Sequence, residues 1–63
     1  MIGSLVMWEK DSTLGIILYK GSDHKHNGVR GEYWEWWVYL IKEKRLQLWN
    51  SDRMMVLSKA DEI

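Results

Sequence analysis

The sequence predicts an all-β domain of five short strands with one helical turn before the last strand. Every apolar segment is of strand length, too short to build the stripe of an amphipathic helix. β-Branched and aromatic residues dominate those segments, as a pleated surface favours. The one helix-capping signal is Asn50-Ser51. We read residues 1–63 as one domain, with a core spanning about 3–57 and a polar tail at 58–63.

Ser4-Leu5-Val6-Met7-Trp8 opens the fold as a strand, preceded by Gly3 and closed by Glu9-Lys10-Asp11-Ser12. The second strand is Leu14-Gly15-Ile16-Ile17-Leu18-Tyr19, where an internal glycine marks a bulge or a close backbone approach. Lys20 to Gly31 is polar and carries the turn dipeptide Asn27-Gly28, which predicts a long loop or an irregular hairpin. The strongest strand signal is Glu32 to Ile41, with Trp34, Trp36, Trp37, Val38, Tyr39 and Leu40 in close succession. Lys42-Glu43-Lys44-Arg45 turns the chain back into Leu46-Gln47-Leu48-Trp49, which alternates. Asn50 to Arg53 supplies the helical turn and Met54-Met55-Val56-Leu57 the fifth strand.

Alternation assigns faces. With Trp36, Val38 and Leu40 inward, Leu46 and Leu48 are expected to match them across the hairpin, leaving Trp37, Tyr39 and Trp49 outside. A slip of one residue exchanges these sets, because side chains alternate with a period of two. In either register the Glu32–Ile41 strand is apolar on both faces, so its outer face calls for a cover.

A chain of 63 residues buries only about 60% of its unfolded surface, so its stability is marginal. It has no Cys and no Pro, which removes disulfides, thiolate zinc sites and Pro-rich linkers from consideration. Five Trp and three Tyr supply the core instead, each ring burying on the order of 150–250 Å². Nine basic and nine acidic residues give zero formal charge, a poor footprint for phosphate neutralisation. No apolar run reaches the roughly 20 residues of a membrane span, and the N-terminus lacks a signal-peptide pattern. A cytoplasmic setting, or one within a particle assembled in a cell, is expected.

The polar constellations favour no catalysis. His24-Lys25-His26 beside Asp23 offers imidazoles at a loop spacing unspecific for metal, with nothing to complete a ligand set. Ser12, Ser22, Ser51 and Ser58 lack a nucleophile-elbow context. Glu32 and Glu35 lack the long cleft that a carboxylate pair needs to work on a glycan. No cofactor is expected.

The motifs Gly3-x-Leu5-Val6-x-Trp8, Gly15-Ile16-Ile17, Val38-x-Leu40 and Trp49-x-Ser51-x-x-Met54-x-Val56-Leu57 resemble the small stand-alone SH3-like barrels of phages and bacteria. The resemblance covers Gly3 to Leu57, and the group has Tudor- and KOW-like relatives. It implies a five-stranded SH3-like barrel, and a phage accessory or virion structural component as the setting. Two features depart from that group: Glu43-Lys44 stands where an Asp-Gly turn is common, and Trp34, Trp36 and Trp37 exceed what the fold needs.

Trp8, Trp36 and Tyr19 are assigned to the core. Trp34, Trp37, Tyr39 and Trp49 cannot all fit inside so small a barrel, and exposed rings of these types make interface hot spots. With Arg45 they form the candidate partner-binding set; the Tudor likeness adds a cage for a methylated cation. Lys42, Lys44 and Arg53 lie near these rings, as bases stacked on a basic aromatic face would require, but Glu32, Glu35 and Glu43 would repel phosphate. A non-enzymatic module binding a protein partner or another copy of itself is therefore the expectation, with a nucleic-acid-binding barrel using the Lys20–Gly31 loop and the basic hairpin tip as the alternative.

Overall fold

The computed structural model describes residues 2–59. Seven strands run in chain order: β1 (Leu5–Trp8), β2 (Leu14–Lys20), β3 (His26–Gly28), β4 (Gly31–Tyr33), β5 (Glu35–Leu40), β6 (Arg45–Asn50) and β7 (Met54–Ser58). A 3-10 turn, Ser51–Arg53, separates β6 from β7. Five strands form one antiparallel sheet in the order β6-β5-β2-β1-β7, and β3 and β4 form a separate two-stranded sheet. The polar tail expected from 58 begins later, since Ser58 still belongs to β7; residues 60–63 lie outside the described residues.

Local chemistry sets the connections. Between β1 and β2, Asp11 Oδ1 accepts the Thr13 N–H at 3.1 Å, and the Trp8 N–H donates to the Thr13 carbonyl at 2.8 Å. Gly15 meets the close approach its type suggests: a Cβ there would lie 2.3 Å from Val38 Cγ1 and 3.1 Å from the Tyr39 carbonyl oxygen. The bulge of β2 falls instead between Ile17 and Tyr19. Asn27 and Gly28 sit within β3, and the hairpin turns at Val29-Arg30, closed by Gly31 with φ +108°.

The expected strand from Glu32 to Ile41 is broken at Trp34. Both backbone groups of Trp34 turn to Ser51: its N–H donates to Ser51 Oγ at 2.9 Å and its carbonyl accepts the Ser51 N–H at 2.8 Å. The same exchange occupies Ser51, and Asn50 makes no side-chain cap. Tertiary pairing, rather than capping, therefore holds the 3-10 turn.

Val6, Ile17, Trp36, Val38, Leu40 and Trp49 form the buried core, with Trp8, Trp34, Met54 and Val56 packed against it. All six buried residues come from the five-stranded sheet, so the sheet must curl to cover its own inner face. Two intervening strands separate β1 from β6, which in a flat sheet sets them roughly 14 Å apart. Yet the Trp8 and Trp49 rings meet at 5.1 Å between centroids.

Trp36, Val38 and Leu40 point inward as expected, but their partners on β6 do not match the expectation. The turn spans four residues, 41–44, with Lys44 in the left-handed region at φ 55°. It closes on Leu40 opposite Arg45, and pairing continues through Val38–Gln47 to Trp36–Trp49. Even-numbered residues of β5 thus face odd-numbered residues of β6. Trp49 joins the core, while Leu46 and Leu48 turn outward and are exposed.

Candidate docking surface

Opposed residues in an antiparallel ladder share a face, so the register defines the outer surface row by row. One row runs Leu46–Tyr39–Ile16–Leu5 across β6, β5, β2 and β1. A second runs Leu48–Trp37–Tyr19, with the Tyr19 and Trp37 rings 6.5 Å apart. A third, Leu14–Met7–Met55, carries the surface to β7. Leu46, Leu48, Tyr39, Tyr19, Leu14 and Met55 are exposed, and Trp37, Ile16, Leu5 and Met7 are half-buried. No charged residue stands in any of the three rows.

The structure divides the predicted site. Trp37 and Tyr39 lie together on the outer face. Trp49 is only 2% exposed and belongs to the core. Trp34 is half-buried against the core from the inner side, with Lys20 Nζ 4.2 Å from its ring centroid. Arg45, opposite Leu40, falls on the inner-facing side of β6 at the turn. Rings that point to opposite faces cannot converge, so Trp34, Trp37, Tyr39 and Trp49 do not form a cage. Tyr19, assigned to the core, is 48% exposed because it follows the bulge and pairs with the outward Trp37. Leu46, Leu48 and Tyr19 are the outer-face members that sequence reasoning placed inside. The even–odd pairing imposed by a four-residue turn was the signal that could have found the two leucines.

Most cations near the loop and the 3-10 turn are engaged. Arg30 makes a two-pronged contact with Glu9, Nη1 to Oε2 and Nη2 to Oε1, each at 2.8 Å. Its Nη1 also donates to the Asp52 carbonyl at 3.1 Å. The Arg30–Glu9 hydrogen bond holds the Glu9 carboxyl below its usual range, with the Arg30 and Arg53 charges assisting. Lys25 lies 3.9 Å from Glu32. His26 Nε2 sits 2.7 Å from Glu35 Oε1, and its ring stacks on Tyr33 at 5.4 Å. His24 pairs with Asp23 at 3.0 Å. Among the described residues, no group of three or more His, Cys, Asp or Glu is placed to hold a metal.

A depression of about 360 Å³ lies between the β1–β2 and β5–β6 turns, lined by Asp11, Ser12, Thr13, Leu14, Lys42 and Glu43. It has no aromatic wall and mixes charge signs, unlike the apolar clefts that enclose small ligands. Among the described residues no helix is long and apolar enough to cross a membrane. Comparisons with protein-family models, with curated proteins and with solved structures returned no match.

Proposed function

We propose that the chain is an SH3-like barrel acting as a non-enzymatic protein-interaction module, docking through the outer face of its five-stranded sheet. The observation that carries this reading is the set of three uncharged rows centred on Trp37, Tyr39, Leu46 and Leu48. The sheet order, with a 3-10 turn before a last strand that pairs with the first, supports the barrel assignment. Contiguous apolar patches beyond a few hundred Å² are uncommon on monomers and mark contacts. Trp and Tyr at the centre of such a patch are the residue types whose truncation costs about 2 kcal/mol or more in binding. The pairing of Arg30 and Lys25 with carboxylates leaves little free cationic surface on the Lys20–Gly31 loop, and Arg53 of the 3-10 turn is paired likewise. This favours protein over nucleic acid there, while Lys42, Lys44 and Arg45 of the hairpin tip stand exposed.

Affinity capture from cells expressing the chain tests this reading. Tyr39→Glu places a charge on the outer face, and Lys25→Ala alters a distant exposed side chain. Partners held by the native chain and Lys25→Ala but lost by a folded Tyr39→Glu support the docking face. Equal capture by all three refutes it. An electrophoretic shift with single-stranded DNA that weakens steeply with salt would instead establish phosphate-driven binding.

A further inference from the structure

We infer that the chain pairs with a second copy of itself, β6 edge to β6 edge, antiparallel about a two-fold axis through Gln47. This names a partner for the docking region and rests on the proposed reading for what the joined surface serves.

β6 is a terminal strand of the five-stranded sheet and is paired to β5 alone. Its other backbone edge is a template for one more strand. Natural edges are blunted by proline, by charge, by bulges or by shortness. β6 has six residues, no proline and a single charge, Arg45. Arg45, Leu46, Gln47 and Leu48 are exposed in succession, so both faces of this half of the strand stand clear of the core. The other terminal strand, β7, is one residue shorter, and a register shift interrupts its pairing with β1.

Leu46-Gln47-Leu48 reads the same in both directions, so the exposed half of β6 is complementary to an antiparallel second copy of itself. A two-fold pairing that preserves the faces of the sheet must set residues of like parity opposite one another. Centred on Gln47, it sets Leu46 against the second copy's Leu48, and the reverse, with the two Gln47 amides facing. Arg45 then lies opposite the second copy's Trp49. The two Arg45 residues stand four positions apart along the strands, about 13 Å, beyond the Debye length of about 8 Å at physiological salt. Centring on Leu46 would halve that separation, and centring on Leu48 would set Leu46 against Asn50. The Gln47 register alone keeps leucine on leucine and the cations apart. Nine acidic and nine basic residues leave no net repulsion between copies.

The pairing also extends the outer face. Leu5–Ile16–Tyr39–Leu46 of one copy runs into Leu48–Trp37–Tyr19 of the other, and the symmetry repeats this row once. Two patches thereby become one surface on a ten-stranded sheet.

Sedimentation equilibrium of the native chain should give twice the 7.6 kDa monomer mass. Because the chain has no Cys, Gln47→Cys introduces a single thiol. Opposed residues of an antiparallel pair lie about 4.5–5.5 Å apart at Cα, within disulfide range. Mild oxidation should cross-link Gln47→Cys at least about tenfold more than Lys42→Cys, whose copies the register sets about 30 Å apart. A native chain that sediments as a monomer at every concentration overturns the inference. So does equal cross-linking of the two variants. Tyr39→Glu lies off the two-fold and should leave the doubled mass intact. Loss of partner capture by Tyr39→Glu in a chain that stays monomeric would leave the docking reading standing and refute the self-pairing. A doubled mass with capture unaffected by Tyr39→Glu would do the reverse.

Discussion

Leu40 and Leu48 share a chemistry but stand on opposite faces, 2% and 38% exposed, so truncating each to alanine tests the register. Leu40 packs in the core cluster with Val38 and Trp36. Removing its side chain leaves a cavity in a closed environment and should cost about 2–5 kcal/mol. Leu48 covers Gly21 but is open to water on its other side. Its loss forfeits part of the roughly 1.5–3 kcal/mol of full leucine burial and leaves no enclosed void, so about 1 kcal/mol is expected. The domain has about 3–9 kcal/mol in total, from roughly 0.05–0.15 kcal/mol per residue. Leu40→Ala should therefore bring it near the unfolding threshold. In urea, with a slope of about 1 kcal/mol per molar, the midpoint should fall by about 2 M or more for Leu40→Ala and by about 1 M for Leu48→Ala. The measurement belongs at two protein concentrations, because association through β6 adds a concentration-dependent term to every chain that pairs, and Leu48→Ala also removes a residue of that seam. Equal losses, or a larger loss for Leu48→Ala in the dilute limit, would refute the assignment of faces.

Gly15→Ala forces a methyl against Val38 and the Tyr39 carbonyl; it should cost about 1–3 kcal/mol and lower the thermal midpoint measurably. Gly31→Ala meets no atom within 4 Å, so only the φ of +108° opposes it, and a cost of about 1–2 kcal/mol should appear without any change in association. The Glu9 carboxyl is held below its ordinary 4.5 by the Arg30 hydrogen bond, and Asp11 below 3.8 by its bonds from Thr13. Depressed carboxylates contribute stability above their unfolded values and lose it as pH falls through the folded ones. The melting temperature should thus decline on acidification below about pH 4.5, and Arg30→Gln should flatten that decline. Parallel pH profiles for the two proteins would remove the Arg30–Glu9 pair from the acid response.

Strand existence was legible wherever β-branched and aromatic residues cluster, since those types fit a pleat whatever lies across from them. The inward set Trp36, Val38 and Leu40 was readable for the same reason. Partner strands were not, because pairing parity depends on whether the loop holds an even or an odd number of residues, and Lys42-Glu43-Lys44 carries no Gly or Asn to fix the loop length or announce the left-handed residue at Lys44. That single ambiguity exchanged Trp49 with Leu46 and Leu48. Tyr19 was misplaced because the bulge sits after Ile17, whereas the glycine that advertises an irregularity is Gly15. The break at Trp34 depends on Ser51, seventeen residues away, a distance over which local pattern says nothing.

The pairing of Val6 with Val56 adds β7 to β1 across fifty residues of chain. Closure entropy grows only logarithmically with loop length, but it must be overcome before any contact between these strands rewards it. The hairpins β1–β2 and β5–β6 pair strands close in sequence, whereas β1 keeps an unsatisfied flank until β7 arrives. The half-built sheet then offers neighbouring chains two open flanks, β6 and β1. The interval before β7 pairs is the stage at which this molecule is most open to joining the wrong neighbour.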